Sequence, residues 1–300
     1  LGRAITDIWW YKKTTYWARE MDEWRGYSKD DVRVVLKTDF KLSPKPGSKT
    51  DPSSEIDKAV RMIQTTKNVD GAGFFPFIKT EIVRTEDGCS FVNCSKVSPM
   101  QPAEEATLEQ FPWLARYFGI VDGCPGIWDQ TVDEAGIGQR DYFLAWLQHF
   151  YSGALSGEPT KGHAVFLAGD VNVGKSFLSI KIMEIIAGGK ADATPYLTGD
   201  TKFNADLAKV GYWTVNDSTI STETQRVREG FASRVKEFVA NPTLRVEGKF
   251  KDSYTTDFSG RLLITLNTTE QGLSIIPPLE DSIRDKLMLL KCGDWRPEFK

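Results

Sequence analysis

The stretch AVFLAGDVNVGKSFLSIKIMEII, residues 164–186, decides the fold class of this 300-residue chain. An apolar run of strand length ends at Gly169, a polar loop follows, and a second apolar run begins after Lys175 and Ser176. A strand, a glycine-bearing loop and a helix in this order are typical of α/β proteins with a mainly parallel sheet. We therefore expect an α/β fold built around this segment.

The loop between the two apolar runs fits the phosphate-binding pattern G-x-x-x-x-G-K-[ST] at every fixed position, from Gly169 to Ser176. The glycines, Gly169 and Gly174, let backbone N–H groups turn towards phosphate oxygens without a Cβ clash, and the helix that follows adds its positive end. Lys175 is placed to reach the β- and γ-phosphates, and Ser176 to offer its hydroxyl to Mg²⁺. The pattern predicts nucleotide binding; a chance match in a turn is the competing interpretation.

Composition limits the remaining possibilities. The chain is 40% hydrophobic and 26% charged, which is typical of a globular protein, and its formal charge of −3 excludes a strongly basic nucleic-acid coat but not a local basic site. No apolar run reaches the roughly 20 residues that a membrane-spanning helix needs. Cys89 and Cys94 lack zinc-site spacing, so we expect free thiols in a reducing compartment. The chain begins LGRAITD without an initiator methionine, and we expect it to be part of a longer protein.

The pattern along the chain predicts three regions. Residues 1–105 read as an α+β accessory region, residues 106–160 as a helical collar or linker, and residues 161–300 as the nucleotide-binding domain. In the first region, aromatic and β-branched residues on both sides of KKTT predict a short hairpin. Helices are expected after Ser28, which can form a capping box with Asp31, and over the stretch SEIDKAVRMIQTT.

Downstream of the loop, apolar strand-like runs alternate with helical patterns, as in a parallel sheet covered by helices on both faces. The strand YWTVNDS ends in Asn216 and Asp217, where a carboxylate would hold Mg²⁺ and orient water. Asp217 is our candidate; a helix or turn cap is its alternative role. The run LLITLN ends in Asn267, which is placed to hold the attacking water or else simply forms a turn.

Arginines are the remaining candidates for the catalytic machinery. Arg284 follows the last polar strand end and could complete the site of a neighbouring subunit, since such an arginine raises phosphoryl-transfer rates by several orders of magnitude. It could equally be a surface residue paired with Asp281 or Asp285. Arg261 and Arg234 are the alternative candidates for the arginine that acts on a neighbouring subunit's site.

These residues together resemble a known family. GDVNVGKS is similar to the G-x-x-N-x-G-K-S loop of superfamily 3 helicases, with Asn172 inside the loop. A strand ending in Asp217, a lysine-bearing hairpin over LRVEGKFKDSYT, a strand ending in Asn267 and then Arg284 follow in the order typical of that family. The likeness is strong over about residues 140–291, where the run DYFLAWLQHFYSGALSGEPTKGHAVFLAGDVNVGKS is also similar to the entry to the helicase half of poxvirus and phage primase-helicases. It is weaker before that, where IWWYKKTTYWARE and YSKDDVRVVL are similar to the region that precedes the helicase in phage primase-polymerases.

The resemblance implies a ring, usually a hexamer, that pulls single-stranded DNA through a central channel. ATP and Mg²⁺ would sit between subunits, with the phosphate loop on one subunit and Arg284 on the next. The hairpin would grip DNA through Lys249, Phe250 and Lys251, whose chemistry suits phosphates and bases; a solvated turn is the alternative. A primase or polymerase domain elsewhere in the full-length chain is a further expectation, as is a cytoplasmic location, in the host if the protein is viral.

One residue departs from the family pattern. Superfamily 3 proteins often carry two acidic residues at the second motif, whereas this chain has Asn216 before Asp217. Two other functions therefore stay open: a P-loop ATPase that acts without DNA, and a non-enzymatic module that binds nucleotide to build an oligomer.

Overall fold

The structure is a computed structural model that describes residues 7–11, 14–21, 23–85, 87–216, 225–249 and 253–295. The chain forms two compact units, which are described separately below. Unit 1 comprises Leu1–Phe75 and Lys79–Cys94, and unit 2 comprises Pro76–Ile78 and Ser95–Lys300. The region boundaries that the sequence suggests at residues 105 and 160 stay predictions.

Unit 1 contains a four-stranded sheet of order β3-β2-β1-β4 and a three-stranded sheet of order β5-β7-β6. Strands β1 and β2 pair antiparallel, which confirms the hairpin predicted around KKTT. The elements of this unit are β1 (Ile8–Tyr11), β2 (Thr15–Glu20), β3 (Glu23–Tyr27), α1 (Lys29–Thr38), α2 (Glu55–Thr66), β4 (Asn68–Val69), β5 (Gly71–Gly73), β6 (Ile82–Arg84) and β7 (Ser90–Asn93).

Both helices of unit 1 begin at a capping box. The Ser28 hydroxyl accepts from the backbone N–H of Asp31 at the start of α1, and Ser54 does the same with Asp57 at the start of α2. These side chains satisfy backbone donors that the first helical turn leaves without partners. The apolar faces of the helices pack with the four-stranded sheet in a buried core that includes Ile8, Tyr16, Val32, Leu36, Ile56 and Ile63.

Unit 2 is built on a five-stranded sheet of order β14-β8-β13-β10-β9, in which every neighbouring pair is parallel. An antiparallel hairpin, β11-β12, accompanies it. The strands are β8 (Ala164–Ala168), β9 (Ala191–Asp192), β10 (Tyr212–Val215), β11 (Thr243–Val246), β12 (Tyr254–Asp257), β13 (Arg261–Leu266) and β14 (Leu287–Lys291). The α-helices are α3 (Pro112–Tyr117), α4 (Gln139–Ser156), α5 (Lys175–Phe177), α6 (Met183–Ala187), α7 (Thr194–Thr198), α8 (Ala205–Ala208), α9 (Gln225–Ala240) and α10 (Glu270–Leu273).

Helices cover both faces of the parallel sheet. Tyr212 of β10 belongs to a buried cluster that also contains Phe143 and Trp146 of α4. The next residue, Trp213, packs against Phe238 of α9 with their ring centroids 4.8 Å apart. Because successive strand residues point to opposite faces, α4 and α9 lie on opposite sides of the sheet. This arrangement confirms the α/β fold expected from the sequence.

The helical segment after the phosphate-binding motif is not regular. A π-helical turn, Leu178–Ile182, separates α5 from α6, and the N–H of Met183 bonds to the carbonyl of Leu178. Such wide turns are rare, and they are frequent at functional sites. The sequence predicted a helix from residue 175 but gave no sign of this turn.

The parallel arrangement brings four chain segments to one edge of the sheet. The carboxyl ends of β8, β10, β13 and β14 lead into Gly169, Asn216, Asn267 and Cys292 respectively. In open α/β sheets, ligands bind in the crevice at this edge. The fold therefore positions the candidate residues of the sequence pattern together.

Candidate nucleotide-binding site

The phosphate loop adopts a tight conformation that its residue types explain. Asn172 has φ 67° and Gly174 has φ 97°, both in the left-handed region. Glycine adopts this region without steric cost, and asparagine is among the few other residues that tolerate it. The asparagine of the sequence motif is thus explained by the backbone geometry of the loop.

The first glycine of the loop is required by a close neighbour. A Cβ on Gly169 would lie 2.7 Å from the Cβ of Cys292, which is closer than real contacts allow. Backbone hydrogen bonds surround the same point, since the N–H of Gly169 donates to the carbonyl of Leu266. Burial raises the pKa of the Cys292 thiol to about 12 despite the nearby Lys175 charge. Cys292 is therefore a neutral packing residue beneath the loop.

Lys175 lies inside the loop. Its side chain is 7% exposed, and its ammonium donates to the carbonyls of Gly169 and Asp170 at 2.6 Å each. The ammonium is also 3.4 Å from Oδ1 of Asn267, at the end of the neighbouring strand. These three acceptors are neutral oxygens. An anionic group such as a phosphate would bind the ammonium more strongly, because charge-assisted hydrogen bonds are stronger than those to neutral acceptors.

A second side-chain contact, next to that of Asn267, joins the end of β13 to the phosphate loop. The next residue, Thr268, donates its hydroxyl to the carboxylate of Asp170 in the loop. The end of β13 is therefore joined to the phosphate loop by two side-chain contacts, one through Lys175 and one through Asp170.

A tyrosine far away in sequence fixes the end of the loop. The hydroxyl of Tyr117, on α3, donates to the carbonyl of Gly174 at 2.9 Å. Its ring is stacked on Trp113, with the centroids 5.1 Å apart, and meets Phe177 edge to face. Burial raises the pKa of Tyr117 far above its usual value, so the hydroxyl keeps its proton. Sequence reasoning missed this residue, since no local pattern connects it to the loop.

The strand β10 delivers Asn216 to the same edge. Its Oδ1 accepts from the hydroxyl of Ser179 and from that of Thr265, at 3.3 Å each. Ser176, the last residue of the motif, is exposed at the start of α5. Asp217 lies outside the described residues, so its metal-binding role stays a prediction.

The three arginines have different environments. Arg284 is exposed in a 3₁₀ turn before β14 and pairs with Asp281 at 3.3 Å, which is one of the surface partners anticipated from the sequence. Arg261 is fully buried at the start of β13, where burial lowers its pKa to about 10 and its guanidinium donates to the carbonyl of Thr160. Arg234 is half-buried and donates to the carbonyl of Leu197. Because Arg261 is buried, it is excluded as an alternative candidate for the arginine that reaches the site of a neighbouring subunit.

The predicted hairpin is present as β11 and β12, with Val246 paired to Tyr254. Lys249 is exposed in the connection between the two strands. Phe250 and Lys251 lie outside the described residues, and their DNA-binding role stays a prediction.

A second loop is clamped to this hairpin, and sequence reasoning missed it. Asn204 is 2% exposed; its amide donates to the carbonyl of Arg245 at 2.9 Å, and its side-chain oxygen accepts from the N–H of Glu247 at 2.7 Å. The Asn204 side chain thus donates to and accepts from the backbone of the hairpin, as the backbone of a neighbouring strand would. It holds Lys202 and Phe203 beside the hairpin, with the lysine ammonium 5.6 Å from the centre of the phenylalanine ring. Phe203 is 41% exposed.

Comparisons with known proteins agree with the fold. A sequence profile for a family of unknown function (DUF5906) matches residues 167–281. No curated protein matches the chain significantly in sequence. The span of the profile includes the phosphate loop, both polar strand ends and the hairpin.

Two solved structures are similar over nearly the whole chain. The A-form apo structure of the NrS-1 C-terminal region aligns with a TM-score of 0.58 and 17% identity over 95% of this chain and 58% of that one. Another apo structure of the same region gives a TM-score of 0.57 and 16% identity over 96% of this chain and 59% of that one. The chain therefore spans less than two thirds of these neighbours, and the likeness concerns the fold alone.

A third structure, JCV helicase with a bound small molecule, aligns with a TM-score of 0.38 and 11% identity over 65% of this chain and 47% of that one. This alignment adds nothing to the assignment of the fold. Within the described residues, no helix combines the length and apolarity that crossing a bilayer requires.

Proposed function

We propose that this chain is an ATP-driven translocase that works as a ring on single-stranded DNA, the helicase portion of a longer phage or mobile-element replication protein. The observation that carries the proposal is the meeting of Lys175 and Asn267, whose ammonium and side-chain oxygen are 3.4 Å apart at one edge of the sheet. A triphosphate in the loop would meet a cation and a water-orienting amide at the same point.

The residues at this edge suit ATP with Mg²⁺. The left-handed turns at Asn172 and Gly174 shape the loop for phosphate oxygens, and Lys175 supplies the charge. Ser176 and Asp217 would hold Mg²⁺ together with the phosphates, since this ion is commonly bound by one or two protein ligands plus substrate oxygens. Bound there, Mg²⁺ would neutralise charge that develops on the transferred phosphoryl group.

Arg284 fits a role in a neighbouring subunit better than one in its own. It precedes Leu287, which pairs with Ala164, whereas the phosphate loop follows Ala168, which pairs with Lys291. The two sites thus lie at opposite ends of the parallel strands, and the four residue steps between these pairs span about 13 Å at ~3.3 Å per residue. A head-to-tail contact between subunits would bring Arg284 to the next loop and generate a ring if the rotation closes.

Mixing two inactive variants tests this arrangement directly. We expect Lys175→Ala and Arg284→Ala each to abolish ATP hydrolysis, and a mixture of the two proteins to recover part of it. In a random one-to-one ring, about a quarter of the interfaces would pair an intact loop with an intact arginine. Arg284→Ala with wild-type turnover, or a mixture as inactive as its components, would remove the shared site from the proposal. Asp281→Ala is the matched control, because it removes only the surface partner of Arg284.

The DNA-binding face is proposed to comprise the hairpin and the loop clamped to it. Lys249 and Lys202 supply cations for phosphates, and Phe203 supplies an exposed ring on which a base can stack. We also assign Phe250 and Lys251 to this DNA-binding face, because they follow Lys249 in the sequence. Because Asn204 joins the two segments, movement of the hairpin would carry both.

The main alternative is a nucleotide-binding oligomerisation module, or an ATPase that does not act on DNA. The neutral Asn216 favours it, since a carboxylate pair is absent at the end of β10. Steady-state ATP hydrolysis by the wild type and by Lys175→Ala separates the non-enzymatic module from an ATPase. Stimulation by single-stranded DNA, lost on replacing Lys249 and Lys251, separates the translocase from an ATPase of another kind.

A further inference from the structure

Asn216 stands where the resemblance would place an acidic residue, and its surroundings explain what an amide does there. Its side-chain oxygen accepts two hydroxyl hydrogen bonds at 3.3 Å, one from Ser179 and one from Thr265. Ser179 is fully buried and Thr265 is 1% exposed, so both donors are largely shielded from water. Each hydroxyl also has a backbone carbonyl slightly farther away, that of Val215 at 3.4 Å from Thr265 and that of Ser176 at 3.5 Å from Ser179. The Asn216 oxygen is therefore the nearer of two acceptors for each hydroxyl.

Ser179 belongs to the π-helical turn behind the phosphate loop, and it is attached to β10 at two points. Its carbonyl accepts from the hydroxyl of Tyr212 at 2.9 Å, and its own hydroxyl donates to Asn216. Tyr212 begins β10 and Asn216 directly follows its last residue, four positions on, so the extended chain turns both side chains to the same side of the sheet. The turn therefore lies against the strand in a fixed register.

The second donor extends the connection to the next strand. Thr265 lies on β13, two positions before Asn267, whose oxygen contacts the ammonium of Lys175. The carbonyl of Ser176 lies 3.5 Å from the same Ser179 hydroxyl and is the alternative acceptor for its single hydrogen. One amide thus connects the turn behind Ser176 with the strand that carries Asn267.

We infer that Asn216 is a positioning residue that holds Ser176 in register with Lys175 and Asn267 by fastening the π-helical turn to the ends of β10 and β13. It accepts rather than donates in this role, so any side chain with an oxygen at the same place can fill it. Unlike a carboxylate, a neutral amide adds no negative charge that would compete with phosphate for the ammonium of Lys175. The inference rests on the proposed nucleotide site for its functional consequence, but the fastening itself does not.

Three variants distinguish the effect of the Asn216 side-chain oxygen from the effect of the side chain's size. Asn216→Leu keeps the size and removes the acceptor, Asn216→Asp keeps the acceptor, and Ser179→Ala removes one donor with little change in volume. In hydrogen–deuterium exchange without nucleotide, we expect amides 178–183 to exchange about tenfold faster in Asn216→Leu, as two lost hydrogen bonds allow. Asn216→Asp should match the wild type, and Ser179→Ala should lie between them.

Kinetics supply the second readout. We expect Asn216→Leu to lower kcat for ATP about tenfold with a smaller change in KM, because the misplaced Ser176 matters most in the transition state. Asn216→Asp should restore most of kcat. Should Asn216→Leu fail to fold, Ser179→Ala and Thr265→Val carry the same comparison.

Three results would overturn the inference, and the first two are wild-type exchange at residues 178–183 in Asn216→Leu and equal damage in Asn216→Leu and Asn216→Asp. A uniform rise in exchange over the whole of unit 2 would also do so, since it would indicate a general stability effect. If the wild type neither binds nor hydrolyses ATP, the proposed function fails, and the exchange comparison still decides whether Asn216 fastens the turn.

Discussion

The ammonium of Lys175 lies 3.4 Å from the side-chain oxygen of Asn267, which joins the phosphate loop to the end of the neighbouring parallel strand. The two residues are 92 positions apart in sequence. Their meeting depends on β13 lying next to β8 in the sheet. The cation of the phosphate loop and the amide at the end of β13 therefore come from segments that follow different strands of the sheet.

The first prediction separates the roles of these two residues. Lys175→Ala should abolish ATP binding, because the loop loses its only side-chain cation in the phosphate motif. Asn267→Ala should retain binding and lower kcat about 100-fold, as the loss of one preorganised polar group commonly does. Titration with a fluorescent ATP analogue and steady-state hydrolysis measure the two effects. Equal loss of binding in both variants would contradict the division of roles.

The second prediction concerns Tyr117, which reaches the loop from α3. Tyr117→Phe keeps the ring against Trp113 and Phe177 but removes the hydroxyl donated to the carbonyl of Gly174. We expect a loss of about 1 kcal/mol in the free energy of unfolding and a several-fold weaker affinity for ATP. Tyr16→Phe, which removes a hydroxyl bonded to Gln64 in unit 1, is the control. The prediction is wrong if the two variants bind ATP equally well.

The third prediction concerns the salt dependence of DNA binding. Each of Lys202→Ala and Lys249→Ala should weaken binding to single-stranded DNA and reduce the slope of log K against log salt by about 0.7, the value for one phosphate contact. Fluorescence anisotropy at several salt concentrations measures both quantities. Lys58→Ala is the control, because that lysine is already paired with Asp51 at 2.7 Å in unit 1. An unchanged slope in both test variants would exclude these lysines from the DNA-binding face.

The aromatic contribution can be tested at the same surface. Phe203→Ala should weaken binding by about 1–3 kcal/mol without changing the salt slope, since stacking on a base releases no counterions. Phe203→Tyr should bind like the wild type. A change of slope in Phe203→Ala would indicate that the loop has moved rather than lost a stacking partner.

The fifth prediction follows from a half-buried lysine. Lys161 donates to the carbonyl of Phe238 at 2.7 Å, and burial, assisted by the charge of Arg261, lowers its pKa from 10.5 to about 8. The unfolded chain therefore binds more protons between these two pH values, so this residue makes the free energy of unfolding rise with pH there. Below pH 8 the folded state carries the whole cost of the buried charge.

Chemical denaturation of the wild type and Lys161→Met between pH 7 and pH 10.5 isolates this contribution. The stability of the wild type relative to the variant should increase over the upper part of that range. Lys236→Met, which removes an exposed lysine paired with Glu280, should show no such increase. A constant difference between wild type and Lys161→Met would contradict the lowered pKa.

Sequence reasoning succeeded where a structure is encoded by neighbouring residues. The phosphate loop after β8, the capping box at Ser28, the helix over SEIDKAVRMIQTT and the β11-β12 hairpin all depend on residue types at short, fixed spacings. The strand ends at Asn216 and Asn267 were also recognised, because parallel strands must end at one edge. Catalytic roles at these positions stay predictions.

Contacts between distant segments could not be recognised in this way. The hydroxyl of Tyr117 on Gly174, the clamp of Asn204 on the hairpin and the burial of Arg261 each join segments far apart in sequence. Arg261 in particular looked like a candidate for intersubunit chemistry, and its burial excludes that role. The π-helical turn was missed because it is stabilised by Tyr212 and Asn216 from another strand.

The sequence by itself determined the parallel α/β scaffold and the loop that can cradle phosphates, because backbone conformation and hydrophobic periodicity are properties of consecutive residues. Tertiary structure alone decided which side chains surround that loop and where Arg284 stands relative to it. Those outcomes depend on strand order and side-chain packing, which arise when many segments bury their apolar faces together. No single stretch of the chain specifies them.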